Sequence, residues 1–122
     1  MALTVAIDFD GCLHPYTHGW TGHTPADEPP GPGTVDFLMM CKSRGFDLVV
    51  FSCRADHDDG ERGIRDWLAR YGLTDFFSDV TNVKPVACAY VDDRAVRFDG
   101  DWMTVLADVQ VLAERPTGKA WG

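Results

Sequence analysis

No stretch of this sequence is long and apolar enough to span a bilayer. Its longest apolar runs are strand-sized, against the roughly 20 residues that a spanning helix needs, so a membrane is not expected as a partner. The opening Met1-Ala2-Leu3-Thr4-Val5 has neither a positive flank nor a small-residue cleavage site, which makes a cytoplasmic protein the expectation. Basic residues are scarce: 11 Lys and Arg face 19 Asp and Glu, for a formal net charge of -8. A field of that sign repels a nucleic-acid backbone, so general nucleic-acid binding is not expected, although action on polynucleotide ends stays open. It also repels phosphate esters unless local cations or a metal reverse it. The four cysteines, Cys12, Cys41, Cys53 and Cys88, include no C-x-x-C pair. Cys12 lies near His14, His18 and His23, but the spacing fits no zinc template. The expectation is free, mostly buried thiols in a reducing compartment. Repeats and low-complexity tracts are absent too.

What is present suits one globular domain over residues 1–122, with 45% hydrophobic and 25% charged residues around one core. Leu3 to Ile7 is a nearly continuous apolar run ending in Asp8, the pattern of a buried parallel strand. Residues 11–33 are rich in Gly, Pro, His and Thr and read as a surface loop, with a small hairpin near 13–20. A helix is expected over 35–44, capped by Thr34, with Val35, Phe37, Leu38 and Met39 inward. A second strand over 46–51 leads into Ser52. A polar loop follows to Gly60, then a helix over 61–71 with Ile64, Trp67, Leu68 and Tyr71 on one face. Short strands are expected over 76–80, 87–91 and, at an edge, 96–98. A last helix over 102–114 turns Val105, Leu106, Val109 and Leu112 inward, and Trp67 and Trp102 both read as core. Residues 115–122 read as a frayed tail. Strands alternating with helices predict an α/β fold, a single three-layer Rossmann-like domain with a central parallel sheet.

In such sheets ligands sit beyond the carboxyl ends of the strands. Three predicted strands deliver polar groups there: Asp8 and Asp10, then Ser52, then Asp92 and Asp93. In Asp8-Phe9-Asp10-Gly11, two carboxylates at i and i+2 can face one cavity, and Gly11 permits a turn that a side chain would obstruct. One can attack phosphorus while the other handles protons, or both can be solvated acids at a strand end. Asp92-Asp93 suits magnesium, which takes one or two carboxylates plus waters and phosphate oxygens, or equally a helix N-terminus. Ser52 is either a hydrogen-bond donor to phosphoryl oxygen or a turn residue. Arg54 and Lys84 are candidate cations. The roles of His14, His18, His23 and His57 stay open, as does a lip over the site made by Tyr16 and Trp20.

In their order along the chain these residues resemble the motifs of the haloacid dehalogenase-like (HAD) phosphohydrolases. Asp8-Phe9-Asp10-Gly11 looks like the first motif, Ser52 the second, Lys84 the third and Asp92-Asp93 the fourth, together covering roughly Leu3 to Phe98. The resemblance implies a magnesium-dependent phosphomonoesterase. Asp8 would form an aspartyl-phosphate, and Asp10 would act as general acid and then base. Magnesium would be held by Asp8, Asp10 and Asp92, with Asp93 supporting. Ser52 and Lys84 would act with Asp8 and Asp10 in catalysis, and Gly11, Ser52, Cys53 and Arg54 would bind substrate. This chain departs from the family in two ways: Cys12 stands where threonine is usual, and the interval from Lys84 to Asp92 is short, which makes Arg54 a reserve cation. Neither 11–33 nor 54–84 has room for a cap domain, so a capless or minimally capped enzyme with an open site is expected. Nucleotides, polynucleotide ends and other phosphate esters are candidate substrates, and a homo-oligomer is one way to supply a lid. The competing readings are a catalytically idle scaffold on the same fold and a receiver-like phospho-accepting domain. In the latter, the accepting aspartate ends a middle strand, where this chain has Ser52.

Overall fold

The structure, a computed structural model, describes residues 2–115. The expected tail, apart from Arg115, lies outside the described residues. Four strands, β1 (Thr4–Asp8), β2 (Asp47–Phe51), β3 (Phe77–Thr81) and β4 (Ala89–Val91), form one all-parallel sheet in the order β3-β2-β1-β4. Three helices, α1 (Thr34–Ser43), α2 (Asp58–Arg70) and α3 (Trp102–Ala113), flank it in the Rossmann-like α/β arrangement that the alternation predicts.

Register explains the core. Val5 pairs with Leu48, Ile7 with Val50, and Val50 with Val80, so these side chains share one face. They are buried with Leu38 and Cys41 of α1 and with Ile64, Trp67 and Leu68 of α2. α1 packs on β2 and α2 on β3. The chain then returns from β3 to the far side of β1 through residues 82–88 without a helix. β1 is therefore where the winding reverses. The crevice between the carboxyl ends of β1 and β4 is the topological switch point, where open α/β sheets bind ligands.

Several local expectations differ from what forms. α1 buries only the Leu38 and Cys41 stripe, leaving Val35, Phe37 and Met39 exposed, and its N-cap is Gly33 rather than Thr34. The polar loop after Ser52 is a 3-10 turn, Cys53–Asp56, and α2 starts early because the His57 imidazole accepts the Asp59 N–H as an N-cap. No strand forms over 96–98, and an isolated bridge between Asp10 and His14 takes the place of the hairpin. Trp102 is 71% exposed rather than core, and no residue of α3 is buried. β4, three residues long and on the edge, gives this helix little sheet to cover. The thiols are free, but only Cys41 is buried; Cys53 and Cys88 are exposed. No helix among the described residues is long and apolar enough to cross a membrane.

The loop over 11–33 is tied down. Trp67 Nε1 donates to the Glu28 carbonyl at 2.7 Å, Tyr71 Oη to Asp27 at 2.7 Å, and Arg70 pairs with Asp27 at 2.8 Å. Gly63 of α2 makes the close approach feasible, since a Cβ there would sit 2.6 Å from Pro25 Cδ. Gly63→Val should therefore lift the loop from α2 and cost about 1–3 kcal/mol by overpacking. Amide hydrogen exchange should then quicken at Thr17, whose N–H rests on Glu28, while the β1 and β2 amides stay protected.

Candidate active site

β1 ends in Asp8, and the chain turns at once. His14 N–H returns to the Phe9 carbonyl at 2.9 Å, and Gly11 adopts φ 87°. Glycine is required here on two counts. L-residues rarely adopt that φ, and a Cβ would lie 2.6 Å from Asp93 Cγ. The first acidic motif and the last are thus packed against each other through a residue with no side chain. His14 locks the turn from below. It is buried and stacked on Phe9, Nε2 donates to the Ala26 carbonyl at 2.7 Å, and Nδ1 accepts the Tyr16 N–H at 3.1 Å. Those partners assign the neutral Nε2–H tautomer, so His14 is a structural residue.

A cleft of about 460 Å³ opens over this turn, lined by Asp8, Asp10, Tyr16, Trp20, His23, Ser52, Cys53, Arg54, Asp56, Asp92 and Arg94. Burial raises the Asp8 carboxyl to about 8, with the negative charges of Asp92, Asp93 and Asp10 adding to it. Ligand atoms of Asp8, Cys12 and Asp93 lie within 4.8 Å of one another, the cluster of this kind among the described residues. Burial and the same carboxylates push the Cys12 thiol up to about 12, so it stays neutral at ordinary pH. A neutral thiol is a poor ligand for a hard cation. The carboxylates are good ones, and their mutual repulsion is what a divalent cation would relieve.

Arg54 is the other organising residue. Only 2% exposed, it donates from Nε to Asp10 Oδ2 at 2.7 Å and from Nη1 to the Gly22 and His23 carbonyls at 2.7 and 2.9 Å. Its guanidinium lies 4.6 Å from the centre of the Trp20 ring. Asp10 Oδ1 and Arg54 Nη2 are buried without a hydrogen-bond partner among the described residues. Such orphans mark a place for water or ligand.

The sequence-derived candidates are thus mostly gathered. Asp8, Asp10, Ser52, Cys53, Arg54 and Asp92 line one cleft, with Gly11 and Asp93 packed beside them. Ser52 caps the 3-10 turn by accepting the Arg54 N–H at 3.2 Å, which leaves its hydroxyl proton available. Lys84 is placed elsewhere: its ammonium lies 4.7 Å from the Tyr90 ring centre, and it is not among the lining residues. His18 does not line the cleft either, and His57 stacks behind His23 at 3.9 Å. Sequence reasoning missed Arg94 and Arg115. Arg94 directly follows the acid pair, a signal that was there to read. Arg115 reaches back from the end of α3, donating to the Asp93 carbonyl at 3.2 Å and to its carboxylate at 3.4 Å. Nothing local in the sequence announces that contact.

No family model matches the chain, and no curated protein matches it. A solved structure described as a conserved protein from Bacteroides thetaiotaomicron superposes with a TM-score of 0.54 at 21% identity, covering 100% of this chain and 99% of that one. That likeness is one of fold.

Two outcomes test the site. Without a cation, Asp8 titrates near 8 in the folded chain against 3.8 in its ordinary state. The fold then holds a proton that the unfolded chain has released, so this stabilisation is full below about pH 4 and lost as pH rises through about 8. Calorimetry in chelator should show Tm falling over that window, and millimolar magnesium should raise Tm more at the alkaline end than at the acid end. Arg54→Met leaves the half-buried Asp10 without its cation and the Gly22 and His23 carbonyls without their donor. Urea denaturation should show a loss of about 1–3 kcal/mol, the range for stranding the partners of one lost hydrogen-bonding group.

Proposed function

We propose that this protein is a phosphomonoesterase that works through a covalent aspartyl-phosphate on Asp8, as its resemblance to the haloacid dehalogenase-like phosphohydrolases implies. The observation that carries the reading is the meeting of Asp8, Asp10, Ser52 and Asp92 around one cleft at the switch point of the sheet. Three separate segments, after β1, β2 and β4, supply those groups and the buried Arg54, an arrangement suited to positioning and neutralising a phosphoryl group.

In the first step Asp8 attacks phosphorus in line while the bond to the leaving oxygen breaks. Asp10 gives that oxygen its proton. Arg54 Nε holds Asp10 Oδ2 at 2.7 Å, which fixes the orientation of the carboxyl that would do this. In the second step Asp10 takes a proton from water as the water attacks the aspartyl-phosphate, releasing Asp8 and inorganic phosphate. The Ser52 hydroxyl can donate to a phosphoryl oxygen without giving up its cap, because it accepts from Arg54 and donates elsewhere. Arg54 and Arg94 are the cations on the cleft wall, in the place the resemblance gives to Lys84. Magnesium is the cofactor that the acid set suits; Asp8, the Asp10 carbonyl and Asp92, with Asp93 supporting, would hold it, and it supplies charge neutralisation at the phosphoryl oxygens.

Magnesium-dependent release of phosphate from a generic aryl phosphate, nucleotides and 3′-phosphorylated oligonucleotides tests the reading. Asp8→Asn should abolish turnover, and Asp10→Asn should lower it by about 10²-fold or more. Equal activity in wild type and Asp8→Asn would overturn the proposal and leave the idle-scaffold reading in its place.

A further inference from the structure

The wall of the cleft facing the carboxylates is built from the segment over 11–28, and it is assembled to fine tolerance. Its residues are anchored to the 3-10 turn by Arg54, to α2 by Trp67, Arg70 and Tyr71, and to the first turn by His14. Thr17 braces it internally, donating from N and Oγ1 to the Glu28 carboxylate at 2.9 and 2.6 Å. Tyr16, buried at the base of this wall, has φ 61°, the positive φ found at a non-glycine residue among the described residues. A bulky side chain held in that region marks a backbone fixed by its surroundings, and such outliers cluster at ligand sites.

Trp20 is what this scaffold presents. One part of its ring is covered by the Arg54 guanidinium at 4.6 Å, and His23 meets it edge-on at 5.7 Å and 86°. His23 is itself backed by a near-parallel stack on His57. The indole is thus held on two sides, yet it remains 45% exposed and lines the same cleft as Asp8. An aromatic surface fixed by a buried arginine and left open to a cavity gains little for the fold itself. It is suited to stacking a planar ring.

Resting on the phosphatase reading above, we infer that the cleft selects a small phosphate monoester whose alcohol carries a planar aromatic ring, a nucleoside monophosphate or an aryl phosphate, with Trp20 as its stacking platform. A volume of about 460 Å³ is of the size that houses one small ligand. A bare sugar phosphate would need several uncommitted polar side chains to meet its hydroxyls. On the phosphatase reading, Asp8, Asp10, Ser52, Arg54, Asp92 and Arg94 are all engaged by the phosphoryl group and its leaving oxygen. Asp56 is the carboxylate left on the wall, enough for a ribose hydroxyl but not for a whole hexose.

The test compares kcat/KM for adenosine monophosphate, phenyl phosphate, glycerol phosphate and glucose 6-phosphate in magnesium. Wild type should favour the ring-bearing esters by about tenfold or more, the usual worth of one stacked ring. Trp20→Ala and Trp20→Leu should collapse that ratio towards one, chiefly through KM, and Trp20→Phe should restore most of it. Leu keeps bulk against Arg54 and lacks a π face, so its failure to restore the ratio separates stacking from support of the segment. Adenosine monophosphate ahead of phenyl phosphate assigns a nucleoside, and the reverse assigns a simple aryl ester. A wild-type ratio near one, or one that survives in Trp20→Leu, overturns the platform while leaving the phosphatase reading intact. If no ester turns over, that reading fails. Calorimetric binding of adenosine monophosphate then decides the platform alone: Trp20-dependent binding upholds it, and none overturns it.

Discussion

The ion pair between Arg54 and Asp10 is the contact on which the rest of the site depends. Residues 44 apart in sequence meet at 2.7 Å with the guanidinium almost wholly out of water. Ion pairs of this kind contribute little net stability, because desolvation consumes most of the attraction. What this pair gives is geometry. The same guanidinium fixes one oxygen of Asp10, draws the Gly22 and His23 carbonyls down, and lies against Trp20. The height of the overlying segment and the aim of the second carboxylate are therefore set together, by one side chain.

Around that pair the fold assembles an electrostatic conflict. Strand order brings the ends of β1 and β4 side by side, and both ends are acidic. In a chain of net charge -8 there is little positive field to soften this. The consequence, without a cation, is an Asp8 that keeps its proton to about 8. Arg115 relieves part of the crowding from the side, tying the residues just after α3 to Asp93. A protein selected for stability alone would have no reason to keep this cluster. Strain concentrated at one point while the core obeys its patterns is the usual signature of a site under functional demand.

The parallel sheet was legible in the sequence because its signal is local. The runs over β1 and β2 are continuous and apolar, and each is followed by a turn and polar groups. From there, gathering Asp8, Asp10, Ser52 and Asp92 at one edge follows from topology alone. Where legibility failed, the determinant was long-range. Helical spacing could not say that α3 would find only a three-residue edge strand to cover, so Trp102 read as core. Lys84 was a candidate cation by its place along the chain, but its ammonium goes to the Tyr90 ring, a contact that its own segment does not announce. Composition identified 11–33 as a loop. Its order, however, rests on Trp67, Tyr71 and Arg70, up to 44 residues away, reaching Asp27 and Glu28.

That ordered segment bears on how a domain this small can be selective. On the phosphatase reading, relatives with a cap domain gain selectivity by closing over the substrate, which spends binding energy on a conformational change. Here the chain between the first acidic motif and α1 is too short to fold as a cap, yet it is anchored at several points and carries an aromatic ring to the cleft. Discrimination must then come from fixed complementarity, which loses little entropy on binding because the wall is already in place. The cost is paid in advance, in the left-handed backbone of Tyr16 and in the buried charge of Arg54. A static wall also explains why Arg54 contacts both the segment and Asp10. If the ring of the leaving group is placed by Trp20, its oxygen must arrive beside the acid that protonates it, and a shared guanidinium keeps those two distances from varying independently.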